Sequence, residues 1–536
     1  MYRTKSSLSA NKIMTQSPPT SPRVQTISTA PPSSPTPTTP DDDFDVCIVG
    51  GGPGGLATLS ATIEPYSRDK TNDEKNTVKS AYDSGLATRR KPPRVCVVDP
   101  GDSWLQTWHE RFKALQIKCL RSPMGAHPDA FDINSLLAYA TTEGRAKDMF
   151  DSGVDKKKFR TVREAHSGIL NLPSNALFED FCKDLAARLP HTFVKGKVGT
   201  IEGTDGDFKI NLEGGRKLKA KSVVLALGVP GPQACPAALS SLPDHLMFHS
   251  DDKLGGRLQE LKNGRKVLVI GGGLTAVQVA QLAIKKNCSK VVLASRRPLT
   301  TRHFDVKEGW FDYRTASQHQ YEFFQEPLEK RAGFCKETRG GGSVPPLYMR
   351  DVRELEAQGR LTRQIGEVQV TNVNEDSVEV MIGSKAQTFD VIVNACGHRP
   401  DCLQLPVLRE LQKVEPVEII GGFPILTPDL QWGNFKKLFV IGALASLQVG
   451  PDAGNLMGLG RAAQMVTDAM GLKAWSKYKN NMQAVQGWYQ TNRFAEAFSD
   501  SSDSESDSES DSENECNCEL EPELEEEGRV EIPCAV

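Results

Sequence analysis

The sequence lacks any apolar run near the roughly 18 residues that a membrane-spanning helix requires, so no transmembrane segment is expected. Cysteine is sparse: twelve in 536 residues do not make a dense disulfide framework. Most of them, Cys47, Cys96 and Cys182 among them, stand in apolar segments where a buried reduced thiol is the simple reading. That usage fits a reducing compartment, with the cytoplasm as the default. Residues 1–40 contain no acidic residue and no apolar core region, which argues against a secretory signal peptide. Their Ser, Thr and Pro content instead describes a tail unable to bury enough apolar surface to fold, and an organellar transit peptide stays open beside that reading. No stripe of Lys and Arg with interleaved aromatics occurs, so nucleic acid is not an expected partner.

The charge is distributed unevenly. Residues 500–536 hold 15 Asp or Glu and one Arg; removing them from totals of 68 acidic and 65 basic residues leaves 53 and 64, a body of about +11. A basic body suits anionic ligands, whether cofactor, nucleic acid or lipid headgroup, and does not choose among them. The segment 499–527 alternates Ser with Asp or Glu, which describes a solvated acidic tail and also resembles acidophilic-kinase sites. Cys516 and Cys518 lie too close together there for a zinc site.

What the sequence does contain is one texture, repeated. Val46-Cys47-Ile48-Val49 is a short apolar run of the kind found in buried parallel strands, and it leads directly into Gly50-Gly51-Gly52-Pro53-Gly54-Gly55. Gly50, Gly52 and Gly55 fill the pattern G-x-G-x-x-G. In that pattern Gly50 makes the tight strand-to-helix turn, Gly52 lets a pyrophosphate approach the backbone, and Gly55 lets helix and strand pack closely. The helix opening at Pro53 then offers free N–H groups to a diphosphate. A second strand at residues 94–98 ends at Asp99, placed to accept from a ribose hydroxyl. The spacing exceeds the usual ~20 residues because a polar insertion, residues 67–93, intervenes, and loops tolerate extra length cheaply.

The texture returns at Lys266–Ile270, followed by Gly271, Gly273 and Ala276 as G-x-G-x-x-A. The following strand, 291–294, ends in Ser295-Arg296-Arg297 with no acid. A carboxylate there would repel a 2′-phosphate, whereas guanidinium binds it bidentately, which favours NADPH over NADH; two solvated arginines at a strand end are the bland alternative. Two strand–glycine–helix units in one chain predict an α/β fold with two nucleotide-binding sheets.

The order of the remaining elements resembles the two-dinucleotide-binding flavoprotein oxidoreductases, and most closely the flavin-containing and lysine/ornithine N-hydroxylase-like monooxygenases. The residues that carry the resemblance are both glycine turns, Ala226-Leu227-Gly228, Ala395-Cys396-Gly397, the late strand into Gly442, and His249-Ser250 ahead of the second turn. It covers about residues 45–472. The resemblance implies two Rossmann-like three-layer domains: an FAD-binding domain over 44–263 and 391–480, interrupted by an NADPH-binding domain over 264–390, with disordered ends at 1–43 and 499–536. It implies FAD at the first turn, NADPH at the second, and a small-molecule substrate with O2. Hydride passes to the flavin, whose reduced form reacts with oxygen in a site closed to water. Gly442 and a helix start near Asn455 would approach the flavin ring, where Asn455 is otherwise an ordinary cap. Trp108 stands either in the core or against the flavin. Arg121, in a loop at 120–124, holds a flavin phosphate or acidic substrate, or lies on the surface, and His127 reads as structural or solvated. A second loop is expected over 325–346. The body has no C-x-x-C or C-x-x-x-x-C pair, which argues against a disulfide reductase. A regulatory flavoprotein with little turnover, like the oxidative-stress-linked growth inhibitors that resemble monooxygenases, is the remaining alternative.

Overall fold

The computed structural model of the chain describes residues 42–67, 91–154, 168–228, 231–310 and 313–472. The expected tails at 1–40 and 499–536, and residues 68–90 of the insertion, lie outside them.

The first apolar run becomes β1 (Asp43–Val49), followed by α1 (Pro53–Ser67) and β2 (Val95–Asp99). β1 and β2 pair in parallel, from Val46 with Val95 to Val49 with Val98. After α2 (Gln106–Ala114) and α3 (Asn175–Arg188) come β3 (Thr192–Lys195), β4 (Val198–Thr204), β5 (Asp207–Leu212) and β6 (Lys217–Leu225). The sheet order is β3-β2-β1-β6-β5-β4, with a late strand at Leu438–Val440 beside the end of β6. Val46, Cys47 and Ile48 are all fully buried, which is why β1 reads as continuous apolar sequence and not as alternation. β5, in an antiparallel run with β4 and β6, does alternate exposed with buried residues. α3 starts where the Ser174 hydroxyl accepts from Leu177 N at 3.0 Å, and it drives Leu177, Phe178, Phe181 and Leu185 into the core.

The second sheet is parallel throughout. It comprises β7 (Met247–His249), β8 (Lys266–Ile270), β9 (Lys290–Ser295), β10 (Thr362–Ile365) and, after the antiparallel β11 (Val368–Val373), β12 (Val378–Ile382) and β13 (Lys385–Phe389), the strand β14 (Val391–Asn394). The order is β10-β9-β8-β14-β7. Along β8, Val267 and Val269 join one core with helix α4 (Leu274–Lys285), whereas Leu268 and Ile270 join another with β11–β13. Successive strand residues point to opposite faces, so a continuous apolar strand feeds two cores and three layers result. One covering layer is a small antiparallel sheet.

Two placements differ from the sequence reading. The sequence places residues 391–394 and 247–249 within the FAD-binding domain, but both hydrogen-bond into the second sheet, β14 beside β8 and β7 beside β14. Their apolar texture identifies a buried strand but carries no information about which sheet receives it. Residues 325–346 are not simply a loop: α5 (Leu328–Arg339) runs between Pro327 at its N-cap and Gly340, φ 60°, at its C-cap. Proline ahead of a helix is an ordinary start signal and a left-handed glycine after it an ordinary stop signal, and the glycine triplet obscures them. The chain continues through α6 (Pro346–Ala357) and ends its described course with β15, the late strand Leu438–Val440, and α7 (Leu456–Met470) packed on α1. None of the described helices is long and apolar enough to cross a membrane.

Phe181 is wholly buried. Phe181→Ala is expected to destabilise the protein by about 3–5 kcal/mol in chemical denaturation; a loss below about 1 kcal/mol would contradict this account of the first core.

Two glycine turns as candidate dinucleotide sites

At the first turn each glycine meets a different spatial constraint. Gly50 has φ 119°, and a Cβ there would lie 2.3 Å from the Ala226 carbonyl oxygen. A Cβ on Gly55 would lie 1.9 Å from the Gly50 carbonyl oxygen, so helix and strand touch backbone to backbone. Gly52 is different: nothing lies within 4 Å of where its Cβ would be. That open position is the cradle a pyrophosphate requires, at the start of a helix whose first N–H groups lack intrahelical acceptors. Pro53 occupies the first helical position, where a missing N–H costs nothing. Asp99 accepts from Gly51 N through Oδ2 and from Gly101 N through Oδ1, both at 2.7 Å. Its carboxylate therefore braces the turn, and each oxygen keeps a lone pair that a ribose hydroxyl can use. These residues fit FAD.

The second turn repeats the close strand-to-helix contact but not the open cradle. A Cβ on Gly271 would lie 2.5 Å from the Ala395 carbonyl oxygen and 3.0 Å from the Ala276 Cβ, which is why the third position takes nothing larger than alanine. Gly273 is the N-cap of α4, with no side-chain cap. Here the space is not open: a Cβ on Gly273 would lie 3.4 Å from Gly342 Cα, part of the Gly340-Gly341-Gly342 strap. At the end of β9, Ser295 Oγ donates to the Arg297 carbonyl at 2.7 Å, while Arg296 and Arg297 are exposed and available to an anion. The donor set fits a phosphorylated ribose.

The remaining singled-out residues separate clearly. Trp108 is half-buried at the edge of the first core, stacked on Phe112 at 4.6 Å and tilted against Phe178 at 5.7 Å, and its Nε1 has no hydrogen-bond partner among the described residues. Arg121 is neither a phosphate ligand nor a surface residue. Its Nε donates to the His303 carbonyl, Nη1 to that of Ser343, and Nη2 to those of Arg302 and Phe304 and to Ser343 Oγ. The guanidinium is spent on backbone carbonyls of the strap region. His127 is buried, with Nε2 3.1 Å from the Ile133 carbonyl oxygen and its ring edge-on to Phe181, a structural histidine. His249 is buried at the end of β7, 3.2 Å from the Gly397 carbonyl oxygen and 5.1 Å from the His398 ring.

Gly442, two residues beyond β15 and with φ 81°, opens a 3-10 turn over Gly442–Ala445, and the chain then runs through residues 446–455 to α7. Asn455 sits at the N-cap of α7, but its side chain makes no cap bond. Its Oδ1 accepts from Arg339 at 3.1 Å and its Nδ2 donates to Asp305 Oδ1 at 3.0 Å. Arg339 also donates to the Pro451 carbonyl, and Arg331 donates to that of Leu447. Helix α5 thus docks on the segment entering α7, and Asp305, Arg331 and Arg339 were not legible in the sequence because their partners lie more than a hundred residues away. Asp452 is fully buried; burial raises its carboxyl above the usual range and Arg461, 2.5 Å from Oδ1, opposes that shift. Asp452 Oδ2 has no hydrogen-bond partner among the described residues.

The contrast between Gly52 and Gly55 generates a paired test. Gly52→Ala is expected to leave stability within about 1 kcal/mol of the parent and to weaken FAD binding at least about tenfold, or 1.4 kcal/mol. Gly55→Ala is expected to destabilise the fold itself by several kcal/mol, on the order of 4 or more, because backbone must move. Thermal melts and flavin titrations distinguish the two; equal flavin affinity in Gly52→Ala would contradict a pyrophosphate at that position.

Comparison with known proteins agrees with this geometry. The family described as FAD-NAD(P)-binding matches residues 47–230, and the family described as pyridine nucleotide-disulphide oxidoreductase matches residues 152–309. No curated protein matches the sequence. Among solved structures, ornithine N-hydroxylase from Kutzneria sp. 744, with reduced FAD, NADP+ and L-ornithine, superposes with a TM-score of 0.58 at 16% identity, over 80% of this chain and 99% of that one. The FAD-bound cadaverine monooxygenase of desferrioxamine biosynthesis from Erwinia amylovora gives 0.57 at 14% identity, over 82% and 97%. L-lysine 6-monooxygenase from Pseudomonas syringae gives 0.55 at 16%, over 80% and 99%. The likeness is one of architecture, and this chain has the FAD/NAD(P)-binding α/β fold of those monooxygenases.

Proposed function

We propose that the chain is an FAD-dependent, NADPH-using oxidoreductase, a monooxygenase that oxygenates a small molecule with O2. The observation that carries this reading is the pair of glycine turns, the first with an open cradle at Gly52 and the second followed by exposed Arg296 and Arg297. In this reading Gly50, Gly52, Pro53, Gly55 and Asp99 receive FAD, and Gly271, Gly273, Ala276, Ser295, Arg296 and Arg297 receive NADPH. Bound flavin would supply the redox chemistry, accepting a hydride and passing electrons to oxygen. The chain's part is to hold both nucleotides and align them. The N-terminus of α1 offers N–H groups and a positive dipole end to the FAD diphosphate. Arg296 and Arg297 neutralise the 2′-phosphate that distinguishes NADPH from NADH. Gly442 and the Arg339–Asn455–Asp305 network support the segment leading to α7, where the flavin ring would lie. The domain limits follow the sheets: the FAD half is the β1–β6 sheet with β15 and α7, and the NADPH half is the β7–β14 sheet. The neighbours' substrates, ornithine, cadaverine and lysine, make amines the first class to test.

The test is anaerobic mixing of flavin-loaded protein with NADPH or NADH, followed by flavin absorbance, then oxygen with and without amines. Bleaching by NADPH ahead of NADH, and a hydroxylated amine after oxygen, is the expected result. Failure to bind or reduce flavin would overturn the enzyme reading and leave the regulatory one. Changing both Arg296 and Arg297 to Ala is expected to weaken NADPH about 10–100-fold, as loss of charge-assisted hydrogen bonds predicts, while leaving NADH unchanged. An equal loss for both nucleotides would contradict the assignment of these side chains to the 2′-phosphate.

A further inference from the structure

The two stretches of chain that cross between the sheets run side by side. Gln233 and His398 form an antiparallel bridge, flanked by Ala234 N to Gly397 O at 2.8 Å and Arg399 N to Pro232 O at 3.0 Å. The hydrogen bonds lie on either side of the pair and not within it, the arrangement that brings opposite side chains closest. Beyond the bridge, Asn394 ties the two stretches together beside both cysteines: its Nδ2 donates to the carbonyl of Ala234, next to Cys235, at 2.9 Å, and its Oδ1 accepts from Cys396 N at 3.1 Å. Both thiols converge on the end of β8. Cys396 Sγ is 3.7 Å from the Ile270 carbonyl oxygen, and Cys235 packs on the cluster containing Ile270 and Ala294. Cys235 is half-buried and Cys396 exposed, so a small oxidant can reach the pair. No short-range cysteine motif would reveal it, because the two residues belong to opposite ends of the inserted sheet.

We propose that Cys235 and Cys396 form a reversible disulfide that staples the outgoing and returning crossings together beside the second glycine turn. With hydrogen peroxide as oxidant, one thiolate attacks a peroxide oxygen to give a sulfenic acid and hydroxide. The second thiolate attacks that sulfur and displaces its hydroxyl, so two thiols and one peroxide yield a disulfide and two waters. Ala395, next to Cys396, lies with its carbonyl against Gly271, so the staple constrains the turn that the proposed NADPH site uses. The bond itself does not depend on the enzyme reading. Burial raises both thiols above their ordinary range, with Arg296 opposing the shift at Cys396. The thiolate fraction at neutral pH is therefore small, and disulfide formation is expected to accelerate as pH rises.

The experiment treats the full chain with hydrogen peroxide at neutral and alkaline pH, blocks free thiols, and maps the peptides by mass spectrometry without reduction. The expected result is one linked peptide containing Cys235 and Cys396, two hydrogens lighter than the sum of the free peptides. It should form faster at alkaline pH, disappear with dithiothreitol, and be absent from Cys235→Ser and Cys396→Ser. NADP+ affinity measured on oxidised and reduced wild type should differ, and the difference should vanish in Cys235→Ser. Should either variant fail to fold, the wild-type peptide map and its reversal by dithiothreitol decide alone. Pairing of Cys396 with Cys288 or a tail cysteine, or over-oxidation of Cys396 with Cys235 left free, would overturn the proposal.

Discussion

The close approach of a strand-ending glycine to a carbonyl of the adjacent strand sets the rest of the molecule. It occurs twice. Gly50 abuts the Ala226 carbonyl and Gly271 abuts that of Ala395, leaving space for a hydrogen and not a methyl group in either place. Two residues beyond each alanine the chain turns through a left-handed glycine, Gly228 at φ 77° and Gly397 at φ 76°. Only glycine adopts that conformation freely, so the strand end, the nucleotide turn and the exit to the crossing are fixed as one unit. The duplication explains why the crossings emerge alike from both sheets and meet at the Gln233–His398 bridge.

Around those fixed points the chain uses arginine to join distant segments. Arg121 gathers four backbone carbonyls from residues 302–304 and 343, and Arg331 and Arg339 tie α5 to the approach to α7. Each guanidinium offers five donors in a rigid plane, enough to satisfy several carbonyls that irregular backbone would otherwise leave unpaired. The strap carrying Gly342 reaches the second turn through this network, so the nucleotide turn and the inter-sheet contacts are mechanically linked.

Local signals in the sequence reached far. β1, β8 and α7 were legible because a buried parallel strand needs a continuous apolar run and a nucleotide turn needs its glycines in order. The geometric constraints at Gly50, Gly55 and Gly271 follow from the same pattern. Where the information is non-local, the sequence was silent. Nothing in Val391–Asn394 says that it pairs with β8, nothing in Arg121 says that its partners are carbonyls near residue 303, and Asn455 reads as a cap although its amide bonds to Asp305 and Arg339. Helix α5 was hidden for a different reason: the glycines that terminate it look like a loop. The placement of Cys235 and Cys396 combines both difficulties, since neither residue alone distinguishes a core thiol from half of a pair.

The central claim is that two separate dinucleotide sites exist on one chain. Equilibrium dialysis of the apoprotein against FAD and NADP+, singly and together, measures this most directly. The account predicts one FAD and one NADP+ per chain, bound without mutual displacement. Competition of the two nucleotides for a single site, or a stoichiometry of one in total, would contradict it.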